Sequence, residues 1–489
     1  MNPNMIPALI FLCPFMTALM VPFFHTKRSV SQILTLAALA GSFFFSLKGL
    51  SITGNGSVIH HYMGNWTPPY GIEWRLDTLS AFMSLLVSAL AFIVIFATGV
   101  TVEKECTNAK IPYYTIVLLH VASLLGIILT HDLFNLFVFL EVASLTAYAL
   151  VASGNDTRGN VASFRYLLIG TAGASFYLLG VGYLYAATGT LNMTDMALRL
   201  QELGISRTVF LGVTLILIGL AIKMGLFPFH GWLPDAYTHA SDSASALIAP
   251  LMTKVMIYSF IRIVLWVIGR NTLTTLGIGP ILTVFGTLAI VAGSIMAFMQ
   301  RRFKRLLAYS SISHIGLIML AFGLGNKTAL IGAFLHILNH ACMKAALFLV
   351  AATAYHRHGI DDIFDFSKLR GKMPYTMAAF CVAALSMVGI PPLAGFFGKW
   401  YILVGSLQAG KPIFAVLVVL SSLLTALYFF KVIEQTFFHR QKENVTVQEG
   451  PLALVISTGS LAIGLLILGY FAPAIFHWGF NLLVPAGVF

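Results

Sequence analysis

The stretch Gly219–Ala240, GLAIKMGLFPFHGWLPDAYTHA, opens as an apolar helix, carries Lys223 inside the apolar run, and then meets Pro228 and Pro234. A proline in a helix interior removes one backbone bond and clashes with the preceding turn, at a cost of about 3 kcal/mol. A lysine at mid-membrane costs roughly 2.5–3.5 kcal/mol on insertion scales. A span that keeps both is predicted to be a broken helix built around an intramembrane ion site. Transporters place ion sites near the bilayer midplane in this way.

The rest of the chain fits that setting. Hydrophobic residues make up 58% of the sequence and charged residues 9%, with a mean hydropathy of +0.89. Soluble domains carry about 25% charged residues, so the composition predicts an all-α polytopic membrane protein. The formal charge of +12 lies mostly in short loops, where it sets orientation and implies no nucleic-acid partner. The N-terminal apolar run has no basic residues before it and Lys27 and Arg28 after it, the reverse of a cleaved signal, and is read as a first span that stays. Cys13, Cys106, Cys342 and Cys381 are far apart and form no CxxC pair, so neither a disulfide framework nor a metal site is suggested.

About fourteen apolar stretches are long enough to span a bilayer. They fall near 5–24, 30–50, 77–100, 111–130, 133–152, 162–187, 208–237, 243–268, 275–299, 305–324, 328–354, 376–407, 412–436 and 452–477. Alternate loops on one side hold sixteen lysines and arginines, among them Lys27, Lys110, Arg158, Arg302, Lys304, Arg440 and Lys442. The other side holds six, among them Arg199 and Arg270. The basic side belongs in the cytoplasm, which puts both termini outside. The outer segment 188–207 is expected to form a short amphipathic surface helix.

The sequence also hints at repetition. The seventh span breaks at GLFPFHGW and the twelfth at VGIPPLAGFFGKW, around Pro391 and Pro392, each with a lysine nearby (Lys223, Lys399). Paired broken helices point to inverted-repeat transporter architecture, and five spans per repeat requires the repeats to be inverted. The expected division is a three-helix segment 1–110, a five-helix repeat 111–268, a second inverted repeat 269–436, and a cytoplasmic loop with a C-terminal helix, 437–489.

Several charges lie deep in apolar spans. Glu141 is nine residues past Asp132, roughly 13–14 Å along its helix. Lys254 is twelve residues past Asp242 and similarly deep. Arg262, nearer the far end, is read as snorkelling to the interface. In the eleventh span, His336, His340 and Lys344 follow at spacings of four and share one helix face. A haem reading would need a facing histidine, for which His314 is a candidate; three titratable groups on one stripe favour a proton-accessible polar path instead. Lys431 and Glu434 are read as an interfacial pair. One acid and four lysines over five spans suggest a relay, because burial favours the neutral form of either group and proximity of the two reverses this.

DLFNLFVFLE, KMGLFPFHGWLPDAYTHASDSASAL, HILNHACMKAALFLVAA and GIPPLAGFFGKW closely resemble the antiporter-like family. That family comprises the large subunits of Mrp-type cation/proton antiporters and the proton-pumping subunits of complex I and of membrane-bound hydrogenases. The resemblance covers nearly the whole chain, and within the family it is closest to the Mrp antiporter branch. It implies a proton-translocating subunit of a multisubunit monovalent cation (Na+)/H+ antiporter in a prokaryotic cell membrane. The alternative it implies is a proton-pumping subunit of a complex I-like or hydrogenase complex. By resemblance, Glu141 and Lys223 are the paired acid and base of the first half-channel and Lys254 the bridging lysine. His336, His340 and Lys344 are then the central relay and Lys399 the terminal site. No nucleotide, flavin or iron–sulfur motif is present, so the chain is expected to be a transporter subunit without its own cofactor, working with other membrane subunits.

Overall fold

The computed structural model describes residues 2–24, 28–106, 113–269, 274–438 and 446–482. Within them, twelve helices are long and apolar enough to cross a bilayer, and two shorter apolar helices, Tyr113–Leu129 and Pro374–Val388, accompany them. Together these coincide with the fourteen apolar stretches, and the chain is an all-α, multi-pass membrane protein. Lys27, Lys110, Arg270, Arg440 and Lys442, which entered the loop-charge count, lie outside the described residues.

Helices α1 (Ile6–Met20) and α2 (Arg28–Thr53) lead into an antiparallel hairpin, β1 (Ile59–Tyr62) and β2 (Glu73–Leu76), in the Gly- and Pro-rich outer segment. Helix α3 (Thr78–Glu105) then starts at a capping box. The Asp77 carboxylate accepts from the Ser80 N–H, and the Ser80 hydroxyl accepts from the Asp77 N–H. Next come α4 (Tyr113–Leu129), α5 (Leu133–Ala152), α6 (Thr157–Thr188), α7 (Met193–Leu203), α8 (Arg207–Met224), α9 (Leu233–His239) and α10 (Asp242–Arg262). A π-helical turn, Ile263–Ile268, extends α10. Helix α7 is the amphipathic surface helix expected in 188–207.

The order then recurs in α11 (Ile278–Phe298), α12 (Phe303–Gly323), α13 (Lys327–His358), α14 (Pro374–Val388), α15 (Ala394–Gln408) and α16 (Pro412–Phe437), before a final α17 (Leu452–Leu482). The parallels are specific. Helices α6 and α13 are each 32 residues long. Isolated backbone bridges, Asp132 to Asn192 and Arg302 to Asp362, tie the starts of α5 and α12 to the segments following α6 and α13.

Both breaks are made the same way. Helix α8 ends at Gly225 (φ 71°) and α14 at Gly389 (φ 90°), left-handed conformations that glycine adopts without a Cβ clash. Pro228 lies in the first gap, and Pro391 and Pro392 lie in the second, where the missing N–H groups stop the helix from continuing. Pro234 corrects one expectation. It sits in the first turn of α9, a position where its absent N–H costs nothing, so it starts a helix instead of breaking one.

The most enclosed helices form the centre. Within their apolar windows, α12 is 100% buried, α13 94% and the α10 span 89%, whereas the outer spans fall to between 33% and 67%. These three buried helices carry Lys254, His314, His336, His340 and Lys344.

Candidate functional site

The first break positions an ion pair. Lys223 lies in the last turn of α8, where unpaired carbonyls and the helix dipole favour a cation. Its ammonium donates to Glu141 Oε1 at 2.8 Å and to the Ser144 hydroxyl at 2.7 Å. Glu141 and Ser144 are three residues apart on α5, so one helix face supplies both partners. The pair is asymmetric: the lysine side chain is 1% exposed and the glutamate 23%.

The central helices hold the next groups. Lys254 Nζ donates to the Ala249 carbonyl at 2.7 Å and to the Thr253 hydroxyl at 3.3 Å, with no acidic partner among the described residues. His314 Nδ1 and His336 Nε2 are joined by a 2.9 Å hydrogen bond. The rings of His314, His336 and His340 stack with centroids 5.0–5.9 Å apart. Both ring nitrogens of His340, with His336 Nδ1 and His314 Nε2, are buried without a hydrogen-bond partner among the described residues. His314 of α12 thus meets His336 and His340 of α13 in one buried cluster. Lys344, one turn past His340, donates to the Leu307 carbonyl at 2.6 Å and the Ser310 hydroxyl at 2.5 Å on α12.

At the second break, Lys399 reaches back from α15 to the open end of α14. It donates to the carbonyls of Met387 and Val388, both at 3.0 Å, and to the Ser422 hydroxyl on α16 at 3.1 Å. At the first break the lysine precedes the gap and at the second it follows. Either way, the ammonium sits at the C-terminal, electronegative end of the first half-helix. Gly395 permits this closeness: a Cβ there would lie 1.8 Å from the Ser386 carbonyl oxygen.

Two expectations are corrected. Arg262 does not snorkel. It is 4% exposed, bonds Asp77 at 2.6 Å, and has the Tyr258 hydroxyl 3.2 Å from Nε. The hairpin side of the molecule covers that end of α10, so an acid meets the guanidinium before water does. Burial would raise the Asp77 carboxyl, but Arg262, the Ser80 N–H and Arg75 together hold it down at about 2. Nor do Lys431 and Glu434 pair. Lys431 instead donates to the carbonyls of Phe298 and Gln300, which close the end of α11.

Sequence reasoning also missed the serine hydroxyls that hold Lys223, Lys344 and Lys399, and the buried His120, whose Nδ1 contacts the Ala143 carbonyl and the Thr146 hydroxyl. A serine in an apolar span carries little signal, because it also bonds its own helix backbone.

Two broken helices and a buried set of lysines and histidines define an all-α polytopic membrane protein of broken-helix architecture. Residues 130–425 match the family described as NADH:quinone oxidoreductase/Mrp antiporter, TM. The chain belongs to that family and is an antiporter-like membrane subunit of the Mrp or complex I type. It is 43% identical to NADH-quinone oxidoreductase subunit N of Desulforudis audaxviator, over 85% of each chain. It is 30% identical to the D subunit of the Na(+)/H(+) antiporter of Alkalihalophilus pseudofirmus, over 97% of this chain and 96% of the relative. Among solved structures it resembles a chain of the Mrp complex from Dietzia sp. DQ12-45-1b. That match has a TM-score of 0.88 at 25% identity and covers 98% and 97% of the two chains.

Proposed function

We propose that this chain is the proton-translocating subunit of a multisubunit monovalent cation (Na+)/H+ antiporter of a prokaryotic cell membrane. The observation that carries the reading is the Lys223–Glu141 pair, held at a helix break inside an apolar bundle. Structural ion pairs of this kind are costly in lipid, and a lysine that shares its charge with a movable acid can take and release a proton. Glu141 and Lys223 form the acid–base pair of the first half-channel (111–268). Lys254 links it to the second (269–436), where His314 joins His336, His340 and Lys344 as the relay, and Lys399 is the exit. Segments 1–110 and 437–489 flank these halves. Both termini lie outside the cytoplasm. The chain performs no redox chemistry itself, and its partners are the other membrane subunits of the complex.

The near-complete coverage of the antiporter relative and of the Mrp chain supports the antiporter reading. The 43% identity to a quinone oxidoreductase subunit favours a second one, in which the same proton file is driven by redox partners. Purification of the native complex from its membrane separates them. Small hydrophobic antiporter subunits and cation-driven proton flux are expected. Copurifying iron–sulfur or quinone-reducing subunits, with flux only under electron transfer, would move the assignment to the second reading.

A further inference from the structure

A cavity of about 350 Å³ opens beside the bundle between the ends of α3, α10, α12 and α13. Its lining mixes four acids, Glu105, Asp156, Asp242 and Asp361, with Lys104, Arg158, Arg302 and Lys304, so it is neither an anion site nor a cation site by net charge. Three of the acids are paired: Asp156 with Arg158 at 3.0 Å, Asp361 with Arg302 at 3.8 Å, and Asp242 with Lys304 at 2.9 Å. Glu105 has no ion-pair partner among the described residues. Its Oε2 accepts from the Ser243 N–H at 3.0 Å and the Ser243 hydroxyl at 2.7 Å, and that hydroxyl also contacts Thr101. The adjacent Asp242 side chain is 7% exposed, and its Oδ2 is buried without a hydrogen-bond partner among the described residues.

The floor of the cavity stands on the helices that carry the buried file. Lys304 Nζ bonds Asp242 Oδ1 and the Ala240 carbonyl, with the Ser245 hydroxyl at 3.3 Å. Six residues further along α12 lies Ser310, which holds Lys344, a rise of roughly 9 Å. The same Asp242 begins α10, which carries Lys254.

We propose that this cavity is the proton-loading vestibule of the chain, with Glu105 taking protons from the aqueous phase and Asp242–Lys304 passing them toward Lys344. Solvent protonates the Glu105 carboxylate. When the Lys344 amine is free it takes a proton from the Lys304 ammonium, and the protonated Glu105 then refills the Lys304 amine through the Ser243 and Asp242 groups and returns to its carboxylate. The titratable groups around Glu105 are Asp242 from α10, Lys304 from α12 and Tyr113 from α4, while Lys104 of α3 and His356 of α13 line the same cavity. Glu105 lies beyond the apolar span Thr78–Val102. Burial, and then the neighbouring Asp242 charge, raise its carboxyl to about 6, within the range in which a loading group exchanges protons near neutrality.

The inference rests on the proton-translocating reading, and the test separates the two. Proton flux is measured in vesicles holding the full complex while pH is varied on the vestibule side, for the wild type, Glu105→Gln and Lys344→Ala. Glutamine keeps an oxygen for the Ser243 N–H, so α10 stays capped. Flux through Glu105→Gln is expected to fall about tenfold or more near pH 8 and to recover on acidification, when bulk protons replace the antenna. Wild-type flux from Glu105→Gln near pH 8, with none from Lys344→Ala, would overturn the vestibule alone. Flux that survives Lys344→Ala would overturn the translocation reading instead. Infrared difference spectra give an independent readout: a carboxylic-acid band titrating near pH 6 and absent from Glu105→Gln. Should that variant fail to assemble, Ser243→Ala, which removes one donor to the carboxylate, should move the band's titration upward. An unmoved titration would refute the assignment.

Discussion

Each buried lysine rests on neutral oxygens, with Glu141 the single acid that touches any of Lys223, Lys254, Lys344 and Lys399 among the described residues. Hydroxyls and carbonyls stabilise an ammonium without fixing it as a carboxylate would, so such sites can change protonation at moderate cost. Glu141→Gln and Lys223→Ala are each expected to abolish proton flux in vesicles while native gels show normal assembly. Loss of the complex from the membrane would favour a structural pair. Removing one partner of a fully buried pair costs about 3–5 kcal/mol. Glu141 is 23% exposed, so the stability penalty of Lys223→Ala should fall below that range. Lys399→Arg should also stop flux, because a guanidinium stays protonated in practice. Wild-type flux from that variant would show that Lys399 never gives up its proton. These positions were legible in the sequence because a charge stands out against an apolar span, and because a spacing of four in the eleventh span fixes a shared face. Arg262 was misread for the opposite reason. Near a span end, burial and snorkelling look alike in sequence, and the deciding acid, Asp77, lies 185 residues earlier.

At the scale of elements, the breaks were legible because glycine and proline dictate backbone locally. What they dock against was not legible. Gly395 shows the difference: its helix position is local, but its contact with the Ser386 carbonyl depends on α15 folding back onto α14. Gly395→Ala should therefore disturb the Lys399 cradle and lower both flux and thermal stability, whereas alanine at Gly182, which meets nothing within 4 Å, should be tolerated. The Asp77–Arg262 pair gives a pH-dependent prediction. The folded-state carboxyl is held at about 2, below its unfolded value, so its stabilisation is fully present above about pH 4 and is lost as pH falls toward 2. Asp77→Asn should melt at a lower temperature than the wild type at neutral pH. The two should converge as the wild type is acidified through that window. A gap that persists unchanged at low pH would show that the pair contributes nothing by charge. The cavity around Glu105 left no trace in the sequence, because Glu105 and Asp242 are 137 residues apart and each reads alone as an ordinary loop charge.

For the molecule as a whole, the exposed side of α5 is the informative surface. Phe134, Val138 and Leu145 are 47%, 43% and 56% exposed, and Glu141 lies on the same stripe at helical spacing. An ionised carboxylate opening sideways at the middle of an apolar surface is expensive in lipid. Its outward exposure is therefore a property of the isolated chain, and in the complex a neighbouring membrane subunit should cover this stripe with polar groups opposite Glu141. Multi-pass architecture was readable from hydropathy alone. A lateral partner was not, because lipid and a neighbouring helix select the same apolar residues. Cysteines placed at Val138 and Leu145 test the idea, with cysteine at Val284, an exposed position on α11, as the comparison. In the assembled complex the first two should crosslink to another subunit and resist a membrane-soluble thiol reagent, while the third reacts. Dissociating the complex in detergent should expose them. If Val138→Cys and Leu145→Cys react as readily as the comparison in the intact complex, the α5 stripe faces lipid and Glu141 must be neutralised within this chain alone.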